Sequence, residues 1–220
     1  GKEVMASFIH SIGPRSTKPF IAVNCAAIQN TMLEAELFGF EAGAFTGADK
    51  RKTGLMEVAD QGILFLDEIS SMPLDMQAKL LRALEERAIR RVGGTVLIKV
   101  DVQIIAASNR PLSTLINEGQ FREDLFYRLK VVDLHVPALR DRKLDIPELV
   151  GFFIRKHNIQ QGNNVVGISP MAMAALTAYD WPGNIRELSN AIARAMLFCD
   201  GETIELGDLP SEISKLASNC

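Results

Sequence analysis

Four apolar residues, Ile63-Leu64-Phe65-Leu66, run into two adjacent carboxylates, Asp67 and Glu68. A short continuous apolar run is the mark of a central strand in a parallel sheet, whose carboxyl end faces the ligand crevice. At such a place one carboxylate can hold the water shell of a Mg²⁺ ion while its neighbour orients and activates an attacking water. Strings of this kind also arise at ordinary strand ends. Gly1-Lys2 opens a helix, where backbone N–H groups and the lysine could hold phosphates. A surface lysine is the competing reading, and Glu3 stands where the general motif wants Ser or Thr for the metal. Asn109 closes a neighbouring strand, placed to sense a γ-phosphate or the water, or simply to form a turn.

Two arginines, Arg122 and Arg128, flank an apolar helical stripe in Phe121–Leu129. A guanidinium fixed near a phosphoryl group and supplied by a partner accelerates transfer by about 10³–10⁵. Ion pairing of Arg122 with Glu123 or Asp124 is the alternative. Arg186 projects from the first turn of a helix after Trp181-Pro182-Gly183-Asn184, where it could reach a nucleotide or end a salt bridge. Gly43-Ala44-Phe45-Thr46-Gly47-Ala48 puts one aromatic and one hydroxyl among Gly and Ala only. Two glycines permit a tight loop, and Phe45 at its apex has little of its own chain to bury against. Such a loop offers an apolar finger to a partner, unless Phe45 tucks back into the core.

The elements that must position these groups follow from periodicity. Val4, Phe8, Ile9 and Ile12 share one face of a helix from Lys2 to Gly13-Pro14. Strands are expected at Phe20–Val23, ending in Asn24, at Ile63–Leu66, at Val102–Ala106 and at Val131–Val136. Thr31 with Glu34 predicts a capping box for a helix through Phe38. Pro73 predicts the first turn of a helix reaching Arg87. Ile89–Val92 and Val96–Val100 predict a hairpin turning at Gly93-Gly94, and Leu112–Asn117 and Arg122–Leu129 predict short helices. Alternating strands and helices imply an α/β fold with a parallel sheet flanked by helices. After Pro137 only helices are expected, at Asp145–Gln161, Pro170–Tyr179 and Asn184–Phe198. The boundary falls at Leu139–Arg142, dividing the chain into 1–140 and a small all-helical domain, 141–220.

The 220 residues are 47% hydrophobic, enough for a substantial core. A net charge of −3 argues against a nucleic-acid or membrane-surface module within this stretch. No apolar run approaches the roughly 18 residues of a membrane span. Cys25, Cys199 and Cys220 lie far apart, as do His10, His135 and His157, so neither a disulfide framework nor a metal cluster is expected. Reduced thiols suit the cytoplasm.

Taken in order, GKE, GAFTGA, LFLDE, an Asn after a strand, FREDLFYRL and WPGNIREL resemble the AAA+ domain of bacterial enhancer-binding proteins. These are the sigma-54-dependent transcription activators of the nitrogen-regulator type, and the resemblance covers essentially the whole chain. It implies a P-loop NTPase followed by a helical lid. It implies that Lys2, with Gly1 and Glu3, is the remnant of the phosphate loop, and that Asp67 and Glu68 serve Mg²⁺ and water. Asn24 would be the switch residue holding Glu68 from water, Asn109 the first sensor and Arg186 the second. Arg128 would reach a neighbouring subunit's ATP with Arg122 assisting, and the Gly93-Gly94 hairpin would be a second pore loop moving with the first.

The implied activity is Mg-dependent ATP hydrolysis in a ring, expected to be a hexamer, that drives sigma-54 RNA polymerase from closed to open complex through residues Gly43–Ala48. Enhancer DNA would be read by a domain outside this chain. One departure stands at the start, where the family's phosphate loop has about five further residues and a preceding core strand. An open sheet interior and weak or absent ATP binding by these residues alone are therefore expected. Two other readings compete: a regulator of the same fold that binds DNA and partners but no longer hydrolyses ATP, and a generic AAA+ machine, which would lack the GAFTGA run.

Overall fold

A computed structural model of the chain describes residues 1–162 and 164–217; Cys220 lies outside them. The chain forms two compact units, Gly1–Leu134 and a second from His135 onward. The first begins with α1 (Lys2–Ile12), β1 (Phe20–Asn24), α2 (Asn30–Phe38) and β2 (Gly39–Phe40). It continues through β3 (Lys52–Thr53), α3 (Leu55–Val58), β4 (Ile63–Asp67), α4 (Leu74–Glu86), β5 (Ala88–Ile89) and β6 (Ile98–Lys99). It closes with β7 (Gln103–Ala106), α5 (Leu112–Asn117) and α6 (Glu123–Leu129).

The main sheet has three parallel strands in the order β1-β4-β7. Its middle strand is the apolar run, and Ile63 through Leu66 are all buried. Alternate side chains serve opposite faces. Leu64 and Leu66 join a core built with Leu33, Leu37, Met76, Leu80, Leu115 and Leu125 from the helices. On β1, Phe20 stacks on Phe65 with ring centroids 6.3 Å apart. The α1 helix contributes the buried Ala6 and leaves Val4, Phe8 and Ile12 exposed.

Val131–Val136 forms no strand, and Val131, Val132 and Leu134 are exposed. A β-branched run becomes a strand only beside a partner for its N–H and C=O groups, and none of the described strands pairs with it. The outer strand β7 is correspondingly an edge, with Ile104 and Ile105 only half-buried. The capping box at Thr31 does not form, because α2 starts two residues earlier with Gln29 as its N-cap. Pro73 is the N-cap of α4, just outside its first turn. The hairpin pairs only Ala88–Ile89 with Ile98–Lys99. Val92 leaves that ladder to bridge Phe40, so the distal arm follows a different partner.

The second unit holds α7 (Ile146–Gln161), β8 (Gly167–Ile168), α8 (Pro170–Ala178), α9 (Asn184–Phe198), β9 (Thr203–Ile204) and α10 (Ser211–Ala217). The β8–β9 pair, parallel and two residues long, is an addition to the helices expected from sequence. Its core gathers Val150, Ile154, Leu176, Leu188 and Ile192 around a fully buried Trp181, whose ring N–H donates to the Leu176 carbonyl at 2.8 Å.

Candidate functional site

The carboxyl end of the main sheet collects the acidic pair and both asparagines. Asp67 ends β4 directly opposite Asn24 of β1. Glu68 follows in the left-handed region, at φ 53 and ψ 45, and begins the 3₁₀ turn Ile69–Ser71. That conformation is costly for a residue with a side chain and is held by its surroundings. The Cys25 N–H donates to the Asp67 carbonyl at 2.9 Å, and the Ile69 N–H donates to Ala107 at 3.0 Å. Backbone bonds to both neighbouring strands thus bracket Glu68, whose own N–H donates to Asp67 Oδ1 at 3.1 Å. Both acids are half-buried and reachable from solvent.

Asn24 Oδ1 accepts from the N–H groups of Ala26 and Ala27, at 2.9 and 3.2 Å, in a tight turn of its own. That oxygen is engaged with its own turn rather than with Glu68. Asn109 Oδ1 accepts from the Ser70 hydroxyl at 3.4 Å, tying the end of β7 to the turn after Glu68. Next to Asn24, burial and the nearby Asp67 carboxylate push the Cys25 thiol up to about 12, so it is not a nucleophile. Among the described residues no group of three or more His, Cys, Asp or Glu could enclose a metal. A Mg²⁺ held mainly by phosphate oxygens and water needs only one or two carboxylates, and the half-buried Asp67 is compatible with that.

Gly1 is the N-cap of α1, Lys2 stands half-buried in its first turn, and Glu3 is exposed beside it. Arg122 is the N-cap of α6 and grips Asp124 with two bonds, 3.0 and 2.6 Å. The pairing left open by the sequence is therefore made. Its hydrogen bonds raise the arginine and hold the Asp124 carboxyl below its ordinary range. Arg128, on the last turn of α6, is exposed and donates to the Leu84 carbonyl at 3.1 Å. In the second unit, Arg186 is exposed on the first turn of α9.

The Gly43–Ala48 loop stands on a neck formed by β2 and β3, where Phe40 pairs with Lys52. Gly43 and Gly47 adopt φ 81 and 95, which only glycine takes without strain. The Gly43 N–H donates to Ala48 at 2.8 Å, closing the loop. Phe45 is 44% exposed and meets Phe40 edge-on at 4.9 Å, so the finger leans on its own neck while offering its outer face. The β5–β6 hairpin is fastened to this neck. Val92 donates to Gly39 at 2.9 Å and accepts from Glu41 at 3.0 Å. A Cβ on Gly93 would come within 2.8 Å of the Ala44 Cβ, so the two loops touch where only glycine fits.

Below that contact Arg91 makes two bonds to Glu57, 2.8 and 2.6 Å, and one to Glu41 at 2.8 Å. Burial raises the Glu57 carboxyl, but the bonds from Arg91 and the Gly54 N–H outweigh it and leave it below its ordinary value. The same bonds raise Arg91, those from Glu57 most. Sequence reading missed this triad. Only the position of Arg91 two residues before Gly93-Gly94 hinted at it, and nothing local points to Glu57.

A family model described as the sigma-54 interaction domain matches residues 1–135. The chain belongs to that family. A second model, the AAA+ ATPase lid domain, matches residues 140–219. Relatives include the regulatory protein AtoC of Escherichia coli (strain K12), 52% identical over 219 residues, all of this chain and 48% of AtoC. The transcriptional regulatory protein FlbD of Caulobacter vibrioides is 52% identical over 205 residues, 93% of this chain and 45% of its own. The crystal structure of NtrX from Brucella abortus in complex with ATP superposes with a TM-score of 0.89 at 44% identity, covering 98% of this chain and 48% of NtrX. The chain thus spans about half the length of the relatives it matches. For this sigma-54 interaction domain the α/β fold and lid expected from sequence hold. Among the described residues no helix is long and apolar enough to cross a membrane.

Proposed function

We propose that this chain is the sigma-54 interaction module of a transcription activator which, as the intact protein, hydrolyses ATP in a ring of subunits, a hexamer, to open the promoter complex. Residues 1–140 are the motor core and 141–220 its lid. Water attacks the γ-phosphorus, the bond from that phosphorus to the bridging oxygen breaks, and ADP leaves with the electron pair. Glu68 orients the water and takes its proton, a task its half-exposed position beside Asp67 allows. Asp67 would hold a Mg²⁺ ion through water, and that ion would supply positive charge at the phosphates. Asn109, bonded to Ser70 next to that turn, responds to the γ-phosphate. Arg128, with Arg122, serves the ATP of the neighbouring subunit. NtrX, of the same fold, carries ATP in its crystal structure, which supports the nucleotide. The regulator relatives support a cytoplasmic protein, whose enhancer DNA is bound by a domain outside these residues.

The observation that carries the reading is the Phe45 loop, closed at Gly43, exposed at its tip and fastened to a second hairpin through Ala44 and Gly93. Such a pair of loops is a two-state element that phosphate contacts can bias and hydrolysis release. In the protein carrying this chain, Phe45→Ala is expected to keep ATP turnover within about twofold while abolishing open-complex formation, measured by permanganate footprinting of the promoter. Equal loss of both activities overturns the separation of motor from coupler.

A further inference from the structure

Among the described residues, two polar side chains are as buried as the apolar core, Gln77 and His157. His157 has a near partner, Ser189 on the adjacent α9, at 3.3 Å. Gln77 reaches much further. Its Nε2 donates to the Met72 carbonyl at 2.8 Å and to the Gln120 carbonyl at 3.1 Å, and its Oε1 accepts from the Arg122 N–H at 2.8 Å. Two carbonyls can only accept and a backbone N–H can only donate, so the network itself fixes which end of the amide is which.

These partners belong to two different pieces of machinery. Met72 caps the 3₁₀ turn that Glu68 begins. Gln120 and Arg122 flank the buried Phe121 at the entrance to the arginine helix α6. A helix start leaves backbone N–H groups unpaired, and a Glu or Gln at the third helical position often turns back to the N-cap N–H. Here that position is the buried Leu125, which cannot do so. Gln77 supplies the missing acceptor from α4, a helix already anchored at Met72.

We propose that Gln77 is the positioning residue of the arginine helix: its buried amide fixes the start of α6, and so the reach of Arg122 and Arg128, to the turn that carries Glu68. Holding the helix by backbone groups uses neither guanidinium, so the Arg122–Asp124 pair can open without moving the helix. A protomer lacking this amide keeps its own acidic pair but presents its arginines wrongly to the next subunit.

The proposal rests on the roles given above to Glu68 and Arg128, and mixed rings separate the two. Gln77→Met keeps volume but not hydrogen bonds. Rings of Gln77→Met in the ring-forming protein should lose about 10²-fold in ATP turnover, the scale of a misplaced catalytic group. Their ATP affinity should stay within about threefold. Mixed equally with Glu68→Gln protomers, which donate intact arginines, Gln77→Met sites should regain turnover. Mixed with Arg128→Ala protomers they should not. Gln77→Asn, one methylene too short for either distant partner, carries the same expectation if Gln77→Met does not fold. Undiminished turnover, recovery with Arg128→Ala, no recovery with either partner, or failure of both variants to fold overturns the positioning role. Glu68→Gln mixed with Arg128→Ala is the control. If those two do not restore each other, the assignment of the acid and the arginine is what failed, and the role of Gln77 falls with it.

Discussion

Glu68 holds a backbone conformation that is costly for a residue with a side chain, and the proposed hydrolysis depends on it. Its left-handed φ turns the chain after β4 into the 3₁₀ turn Ile69–Ser71. Removing only the proton-accepting ability should separate binding from chemistry. Glu68→Gln is expected to bind ATP within about threefold of the parent and to lose about 10²–10⁴-fold in turnover. Nucleotide binding by fluorescence and phosphate release measured on the same preparation check this, and parallel loss of both removes Glu68 from the chemistry. The acidic pair was legible in the sequence because a buried parallel strand writes itself as an uninterrupted apolar run with its ligand end last. The exact partners of Asn24 were not legible, because its short side chain can serve a local turn as readily as a distant acid. Here the turn at Ala26–Ala27 takes its oxygen.

At the scale of elements, the loop and the hairpin behave as one assembly because Arg91 ties both to α3. Its side chain and that of Glu57 are 12% and 13% exposed, so little solvent screens the pair. Arg91→Ala leaves Glu57 buried without its partner, and a lower melting temperature is expected together with weaker coupling of hydrolysis to open-complex formation. The pH dependence follows from Glu57. Its carboxyl lies below the ordinary 4.5, so its stabilisation is complete above that pH and is lost as pH falls through the lower folded value. Melting temperatures recorded across about pH 3–7 should show that acid-side decline in the parent and a smaller one in Arg91→Ala. A decline of equal size in both would exclude the triad as its source. The hairpin's glycine turn was legible and its pairing was not. Val92 carries the same alternation as a hairpin strand, but Phe40 of another segment offers it a bridge. Val131–Val136 errs in the same direction, since β propensity describes a fit to neighbours and cannot create them.

For the molecule as a whole, the two units have separate cores. In the second, Trp181 sits at the centre in a left-handed conformation, φ 51, between α8 and α9. Trp181→Ala should destabilise that unit by about 3–5 kcal/mol through the cavity it leaves. Hydrogen exchange should report it as lost amide protection across α7, α8 and α9, and unchanged protection there would refute the central role of the indole. The sequence by itself determined the α/β order, the acidic strand end, the exposed aromatic loop and the change to helices after Pro137, because each is written in consecutive residues or a short repeat. Only the tertiary structure decided that Gln77 caps the arginine helix, that Arg91 joins Glu57 to Glu41, and that Ala44 rests on Gly93. Those contacts join residues far apart in the chain, and their partners are chosen by burial and hydrogen-bond satisfaction in three dimensions, which no local pattern encodes.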